Sequence, residues 1–217
     1  MNEREYKEAS VKEFTRAARK YDGSHAGVYK MCRKDYPDIL AEIKKEPFKR
    51  LVDIGCGTGP MITLLAEEFP ESHYTGIDLT PAMIEVAKQK HLPNAEFVVG
   101  DAENLPFEPD SFDVAICSES FHHYPNPQAF FDSVYRVLKP GGKLILRDVT
   151  FNSRLIRWYC NRIELPALNK IGFGDVRIYG REEVQAMIEK SGLTMETFEK
   201  RGFMRMHCVA RKPRNSY

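Results

Sequence analysis

The sequence predicts an α/β chain in which a mostly parallel sheet is covered by helices on both faces. Three observations carry that prediction. First, short aliphatic and β-branched runs, such as Leu51-Val52-Asp53-Ile54 and residues 73–79 and 111–118, alternate with segments whose apolar residues recur at helical spacing. Second, the earliest of these runs turns into its helix through three alternating glycines, Gly55, Gly57 and Gly59, and then Pro60, a residue suited to a first helical turn. Third, two runs at the end, 193–200 and 205–210, meet across Gly202-Phe203, as an antiparallel hairpin would.

Composition narrows the function. With 217 residues the chain has the length of one domain with a full core. A formal net charge of +1 argues against a dedicated nucleic-acid binder. Five scattered cysteines (Cys32, Cys56, Cys117, Cys160, Cys208) include no C-x-x-C pair. That pattern predicts reduced thiols in a cytoplasmic protein rather than a disulfide frame or a zinc site. No apolar run approaches membrane-spanning length, and the charged residues 1–5 hold no signal-peptide core.

Taken in order, residues 1–20 carry Val11, Phe14, Ala17 and Ala18 at near-helical spacing, which predicts a peripheral helix ended by Tyr21-Asp22-Gly23. Tyr36-Pro37 opens another helix through Ile39, Leu40 and Ile43, stopped by Pro47. Past the glycine turn, Met61, Ile62, Leu64, Leu65 and Phe69 define a helix face, and Phe69-Pro70 closes it. Residues 73–79 read as the second strand, with Thr80-Pro81 capping the next helix. Residues 96–102 are the third strand and its exit, 103–107 a loop, and 111–118 the fourth strand. Asn126-Pro127 starts a helix that places Phe130, Phe131, Val134, Val137 and Leu138 on one side. Lys139-Pro140-Gly141-Gly142 is a turn, and 143–149 is the fifth strand.

From 151 to 179 the alternation lapses. Leu155, Ile156, Trp158, Tyr159 and Ile163 sit at helical spacing among Arg154, Arg157 and Arg162, Pro166 ends that piece, and Gly172-Phe173-Gly174 reads as a mobile joint. An acceptor-covering insertion and a core or dimer-contact helix both fit. Residues 181–190 form the last helix, with Val184, Met187 and Ile188 inward and Ser191-Gly192 at its end. Residues 211–214 read as a frayed basic tail.

A glycine turn of this kind lets a ligand lie directly on backbone. The dinucleotide pattern G-x-G-x-x-G fails: begun at Gly55 it meets Pro60, and begun at Gly57 it meets Ile62. The phosphate loop ending Gly-Lys-Ser/Thr is absent as well. Asp53, just ahead of the turn, would repel a pyrophosphate and attract an ammonium group. S-adenosylmethionine offers an amino-acid end, a ribose and a positive sulfonium. Asp78 follows Gly55 by 23 residues, near the spacing of about 20 at which an acid meets a ribose. Its carboxylate can accept from two adjacent hydroxyls; a charge at a helix N-terminus is the alternative.

Asp53-Ile54-Gly55-Cys56-Gly57-Thr58-Gly59 resembles motif I of the class I S-adenosylmethionine-dependent methyltransferases. The run from 51 to 146 resembles the group that includes the ubiquinone/menaquinone-biosynthesis C-methyltransferases, methyltransferase type 11, and Leu138-Lys139-Pro140-Gly141-Gly142 shares that likeness as a structural turn. The resemblance implies a Rossmann-like, seven-stranded, mostly parallel sheet with a C-terminal antiparallel hairpin. It implies one methyltransferase domain: a helical leader or lid (1–48), a cofactor-binding core (49–149), an insertion (150–179), and a last helix with the hairpin (180–217).

The same resemblance implies S-adenosyl-L-methionine as cofactor, with S-adenosyl-L-homocysteine as product. The implied binding set is Tyr21, Asp53, Gly55, Cys56, Gly57, Gly59, Asp78, Leu79, Met83, Asp101, Ala102, Glu103 and Ser118. Within it Asp101 would take the adenine amino group, the Ala102 N–H a ring nitrogen, and Tyr21 would close over the cofactor. An Asx turn at Asp101 and a packing tyrosine at 21 are the plain alternatives.

Methyl transfer from a sulfonium is an in-line displacement, to which alignment alone can contribute on the order of 7–11 kcal/mol. His122 and His123, just past the fourth strand, are the candidate catalytic residues because imidazole titrates near neutrality. Adjacent side chains point in different directions, so one can face the methyl while the other packs; a hydrogen-bonding loop histidine is the plainer reading. Adjacency disfavours chelation and no third ligand stands at metal spacing, so no metal is expected. Phe121 and Tyr124 could place a ring near the sulfonium or belong to the core. Ser118-Glu119-Ser120-Phe121 departs from the Asn/Asp-Pro-Pro-Tyr phrase of enzymes that methylate planar nitrogens. The expected acceptor is therefore a small molecule carrying oxygen, nitrogen or carbon. An RNA or protein methyltransferase and a non-catalytic cofactor-binding protein are the alternatives. A monomer or homodimer without nucleic acid or membrane span completes the expectation.

Overall fold

Strands β1 (Arg50–Ile54), β2 (His73–Asp78), β3 (Ala95–Val99), β4 (Phe112–Ser118), β5 (Leu138–Val149), β6 (Thr194–Arg201) and β7 (Arg205–Arg211) form one sheet in the order β3-β2-β1-β4-β5-β7-β6. The computed structural model describes residues 1–23, 32–202 and 204–214. Strands β1 to β5 run parallel, and β7 is antiparallel to both β5 and β6. This is the Rossmann-like, seven-stranded sheet with a terminal antiparallel hairpin that the sequence predicts. Of the residues expected to join that hairpin, Phe203 lies outside the described ones.

Both faces of the sheet are buried, and the two-residue strand period sorts the side chains between them. Val52 and Ile54 of β1, Ala115 and Cys117 of β4 and Leu144 and Leu146 of β5 share one core with Phe130, Phe131 and Val134 of α5 (Pro127–Val137) and Val184 and Ile188 of α8 (Arg181–Ser191). Leu51, Val114, Ile116 and Ile145 point the other way. There they meet Ile39 and Ile43 of α2 (Tyr36–Ile43), Met61 and Leu65 of α3 (Pro60–Glu68) and Ile84 and Ala87 of α4 (Pro81–Lys88). The strand order reverses between β1 and β4, so a crevice opens at their carboxyl ends.

Local chemistry sets most element ends. Helix α1 (Glu3–Ala17) begins at a reciprocal capping box between Asn2 and Glu5. The Asn126 side chain accepts from the Ala129 N–H at 3.2 Å to start α5. Thr80 occupies the N-cap position of α4, but its side chain bonds no helix N–H; the turn there is held by Asp78 instead. β5 starts at Leu138, earlier than expected, because Phe112 pairs with Leu138 and Val114 with Lys143. Residues 139–142 therefore bulge out of the ladder at the expected glycine turn.

Two other expectations are corrected. Arg211 and Lys212 do not fray: Arg211 pairs with Glu46 at 2.7 Å and Glu196 at 2.5 Å, and Lys212 with Asp110 at 2.7 Å. Gly174 is no loose joint, since it is buried and its N–H donates to Glu13 at 3.0 Å. In the insertion, α6 (Arg154–Tyr159) buries none of its residues, while the π turn (Cys160–Glu164) and α7 (Leu165–Lys170) bury Cys160 and Leu165.

Gly59 ends the glycine turn at φ +76°, and a Cβ there would come within 2.7 Å of the Phe97 ring. Gly59→Ala therefore combines left-handed backbone strain with a clash against a core aromatic. We expect a loss of about 1–3 kcal/mol in urea unfolding; an unchanged midpoint would show that the turn has room to relax.

Candidate active site

The cleft is built on the turn that follows β1. The N–H groups of Gly55 and Cys56 both donate to the Ile77 carbonyl, at 2.8 and 3.0 Å, and bind the turn to β2. Asp78, the last residue of β2, then grips the turn with its side chain. One carboxylate oxygen accepts from the Gly57 N–H at 2.9 Å and the other from the Thr80 N–H at 2.8 Å. Burial raises the Asp78 pKa, while these backbone donors pull it back. The Thr80 side chain bonds it as well, and a carboxylate with about four lone-pair sites still has room for a ligand hydroxyl.

Most of the residues expected at a cofactor converge here. Gly55, Gly57, Asp78, Leu79 and Met83 line one side of the cleft; Asp101 and Ala102, past β3, and Ser118, at the end of β4, line another. The Ser118 hydroxyl has no hydrogen-bond partner among the described residues. Tyr21 lies over the turn, 3.8 Å from where a Cβ on Gly57 would stand. Gly57 therefore keeps its φ of +54° and an open face towards the cleft.

The remaining expected residues stand behind this lining. Asp53 is only 4% exposed in β1, and burial, followed by the nearby Asp78 charge, lifts its pKa to about 7. Cys56 is buried, and Gly59 packs on Phe97. Glu103 accepts from the Asn126 N–H at 2.5 Å.

Helix α1 forms the opposite wall, with Lys7, Ser10 and Phe14 facing the cleft. Lys7 reaches across to Asp101 at 2.6 Å and to Glu103. Two acids of the expected cofactor set thus already share a cation. Lys7 sits in a charged leader without a motif, and nothing in the sequence singles it out.

The two histidines occupy a single 3₁₀ turn and divide in role. His123 lines the cleft, whereas His122 does not. His122 Nδ1 lies 2.7 Å from Asp148 of β5, and its Nε2 lies 3.5 Å from Asp175. Burial alone would lower the His122 pKa; the Asp148 carboxylate, aided by Asp175 and Glu13, outweighs it and raises the value to about 9. His123 is lowered by burial and by the positive charge of its neighbour. Its Nδ1 faces the Gly174 carbonyl at 3.3 Å and Asp175 at 3.2 Å. Two acceptors on that nitrogen place the ring proton there and leave Nε2 as the basic atom.

Asp148 and Asp175 are site residues that the sequence reading missed. The position of Asp148 at the carboxyl end of a strand beside β4 was an available signal; Asp175 lies 52 residues beyond His123 and offered none. Among the described residues, one atom each from His122, His123 and Asp175 lies within 4.8 Å of the others, so the three could hold a metal ion. Sequence spacing had supplied no third donor. A metal would have to displace the proton that Asp148 stabilises on His122. Glu119, at φ +53°, also lines the cleft and pairs with Arg205 of β7.

Residues 52–146 match the family model described as Methyltransferase domain. Over 111 residues the chain is 43% identical to a phthiotriol/phenolphthiotriol dimycocerosates methyltransferase of Mycobacterium leprae, covering 51% of this chain and 41% of that one. It is 38% identical to a fatty-acid O-methyltransferase of Mycolicibacterium smegmatis, covering 51% and 40%. The chain thus aligns with well under half the length of these curated relatives. The crystal structure of the PH0226 protein of Pyrococcus horikoshii superposes with a TM-score of 0.72 at 26% identity, covering 92% of this chain and 98% of that one.

The raised His122 pKa sets a pH signature. A histidine whose folded pKa exceeds its free value contributes stability that is fully present below the free value and is lost as pH climbs through the folded one. Here the window runs from 6.5 to about 9, and the contribution is up to about 3 kcal/mol. Urea titrations across that window should show wild-type stability falling with pH and a His122→Asn variant falling much less. Parallel curves would remove the His122–Asp148 pair as the cause.

Proposed function

We propose, for a chain whose residues 52–146 match the methyltransferase-domain family model, that it transfers a methyl group from S-adenosyl-L-methionine to an oxygen, nitrogen or carbon atom of a small molecule. The observation that carries this reading is the Asp78 carboxylate. It ends β2 inside the cleft and is fixed by the Gly57 and Thr80 N–H groups with acceptor capacity to spare. When bound, the cofactor supplies an electrophilic methyl on a positive sulfur.

The chain's own residues would then bind, orient and exclude. Asp78 would accept from vicinal ribose hydroxyls, and the Gly57 backbone would lie against the amino-acid end. The Asp101 carboxylate would accept from the base, sharing itself with Lys7, while Ala102 would offer its N–H. Asp53, Cys56, Gly59 and Glu103 would act from behind the lining, holding the turn and loop in shape. Tyr21 and Phe14 would keep water out, which gives residues 1–23 of the leader a lid's role. Neutral His123 would take a proton at Nε2 from an O–H or N–H acceptor. His122, held by Asp148, would position the turn that carries it. The insertion reaches this wall through Gly174 and Asp175, so residues 150–179 would cap the acceptor. The fatty-acid O-methyltransferase relative supports a small-molecule acceptor over RNA or protein.

Calorimetry should detect binding of S-adenosylmethionine and S-adenosylhomocysteine, and Asp78→Ala should weaken it by about 1.5–3 kcal/mol. In a thermal-shift comparison NAD and ATP should stabilise the protein less than S-adenosylmethionine. Unchanged affinity in a folded Asp78→Ala protein, or a larger shift with NAD, would sink the proposal. Labelled methyl that never leaves the donor across a broad acceptor screen would leave binding without turnover.

A further inference from the structure

Helix α6, its π turn and α7 run without a break over residues 154–170. A helix beside a sheet ordinarily turns its apolar stripe inward. Here Cys160 and Leu165 are the buried positions, in a small cluster with Ile178, and the larger apolar side chains face out. Of the nine large hydrophobic residues that stand exposed among the described ones, seven fall between 155 and 173. Leu155, Tyr159 and Ile163 follow one another at four-residue spacing and are 80%, 52% and 47% exposed. The adjacent row alternates two guanidinium groups with an indole: Arg154, Trp158 and Arg162, all exposed. Residues four apart share a helix face, so the rows form one apolar stripe with a cationic border. Scattered apolar residues on a surface are ordinary; a contiguous group marks an interaction face.

We propose that this stripe docks on the surface of an anionic lipid bilayer, lying in the headgroup plane. Charge decides among possible occupants. Residues 151–173 contain four cations and one acid, in a chain whose net charge is only +1. A second copy joined through the same stripe about a two-fold axis would set the arginine row against itself, whereas phosphate headgroups compensate it. The apolar row is suited to the acyl boundary, and Trp158 and Tyr159 to the interfacial belt. No helix among the described residues is long and apolar enough to cross a membrane, so the contact is one of lying on the surface. The stripe also leads to the cleft. Beyond α7 the chain reaches Gly174, where a Cβ would come within 2.7 Å of the Ser10 backbone, and then Asp175, which faces His123. The docking inference stands whether or not methyl transfer is the activity.

Trp158 is the one tryptophan of the chain, so its emission reports on the stripe alone. The full chain is mixed with vesicles of phosphatidylcholine, with or without phosphatidylglycerol. We expect co-sedimentation, a blue shift and quenching by lipids brominated near the headgroup, all requiring phosphatidylglycerol and weakened by salt. Arg154→Glu with Arg162→Glu, at exposed positions and with folding checked by circular dichroism, should reduce binding by about tenfold or more. Absence of a shift with anionic vesicles, or equal binding to neutral ones, would overturn the proposal. A lipid-free blue shift that grows with protein concentration, alongside a dimer in sedimentation velocity, would assign the stripe to a second copy instead.

Discussion

One carboxylate holds the cleft in shape. Asp78 closes β2, yet its strongest contacts are to the turn after β1 and to the first residues before α4. Two parallel strands meet only through slanted backbone bonds, which would leave the glycine turn free to swing. The Ile77 carbonyl, accepting from Gly55 and Cys56, fixes where the turn starts, and Asp78 fixes where it points. A charged acceptor on a backbone N–H is among the stronger hydrogen bonds a fold can make, about 1.5–3 kcal/mol, and here two share one side chain. Burial opposes this by raising the pKa, so the group is shaped by competing effects at the position where a ligand hydroxyl would add a favourable one.

The rest of the wall is held by ion pairs that come from far along the chain. Lys7 spans to Asp101 from the first helix, Arg205 reaches Glu119 from the last strand, and Asp148 holds His122 from β5. Deeper, Arg147 is 2% exposed and pairs with Asp35 at 2.6 Å and Asp38 at 3.0 Å. The buried Arg147 pairs contribute little net stability, since desolvation offsets attraction, but losing one partner leaves the other buried and uncompensated. The effect of these ion pairs together is to fix which elements meet at the cleft. The leader helix and the C-terminal hairpin are tied to the site by charge as well as by packing.

These two kinds of constraint explain what could be read in advance. The glycine turn, the acid ending β2 and the exit of β3 are local patterns, each dictated by strand, turn and helix chemistry within a few residues. As cleft positions Asp78 and Ser118 were legible for that reason, and Asp101 and Ala102 through the family resemblance; the sheet was legible from aliphatic runs such as Leu144, Ile145 and Leu146. Lys7, Asp148 and Asp175 were not, because their meaning comes from partners between 26 and 94 residues away. The tail misled for the same reason: Arg211 and Lys212 look like solvated charge until Glu46, Glu196 and Asp110 are seen beside them. Even Thr80, placed correctly, was given the wrong task, since Asp78 does the bonding that its hydroxyl was expected to do.

The division also separates the two halves of the cleft. The half that faces the glycine turn depends on contiguous sequence, so substitutions there strain backbone or strand a buried carboxylate. The half around His123 depends on Gly174 and Asp175 meeting Glu13 and Ser10, two segments that share no sheet register. A change in the insertion can reshape that wall while β1, β2 and their turn stay as they are. A ligand seated on Asp78 would therefore be held the same way whatever molecule the insertion brings to it. The exposed stripe on α6 and the turn after it lies on the half that is free to vary.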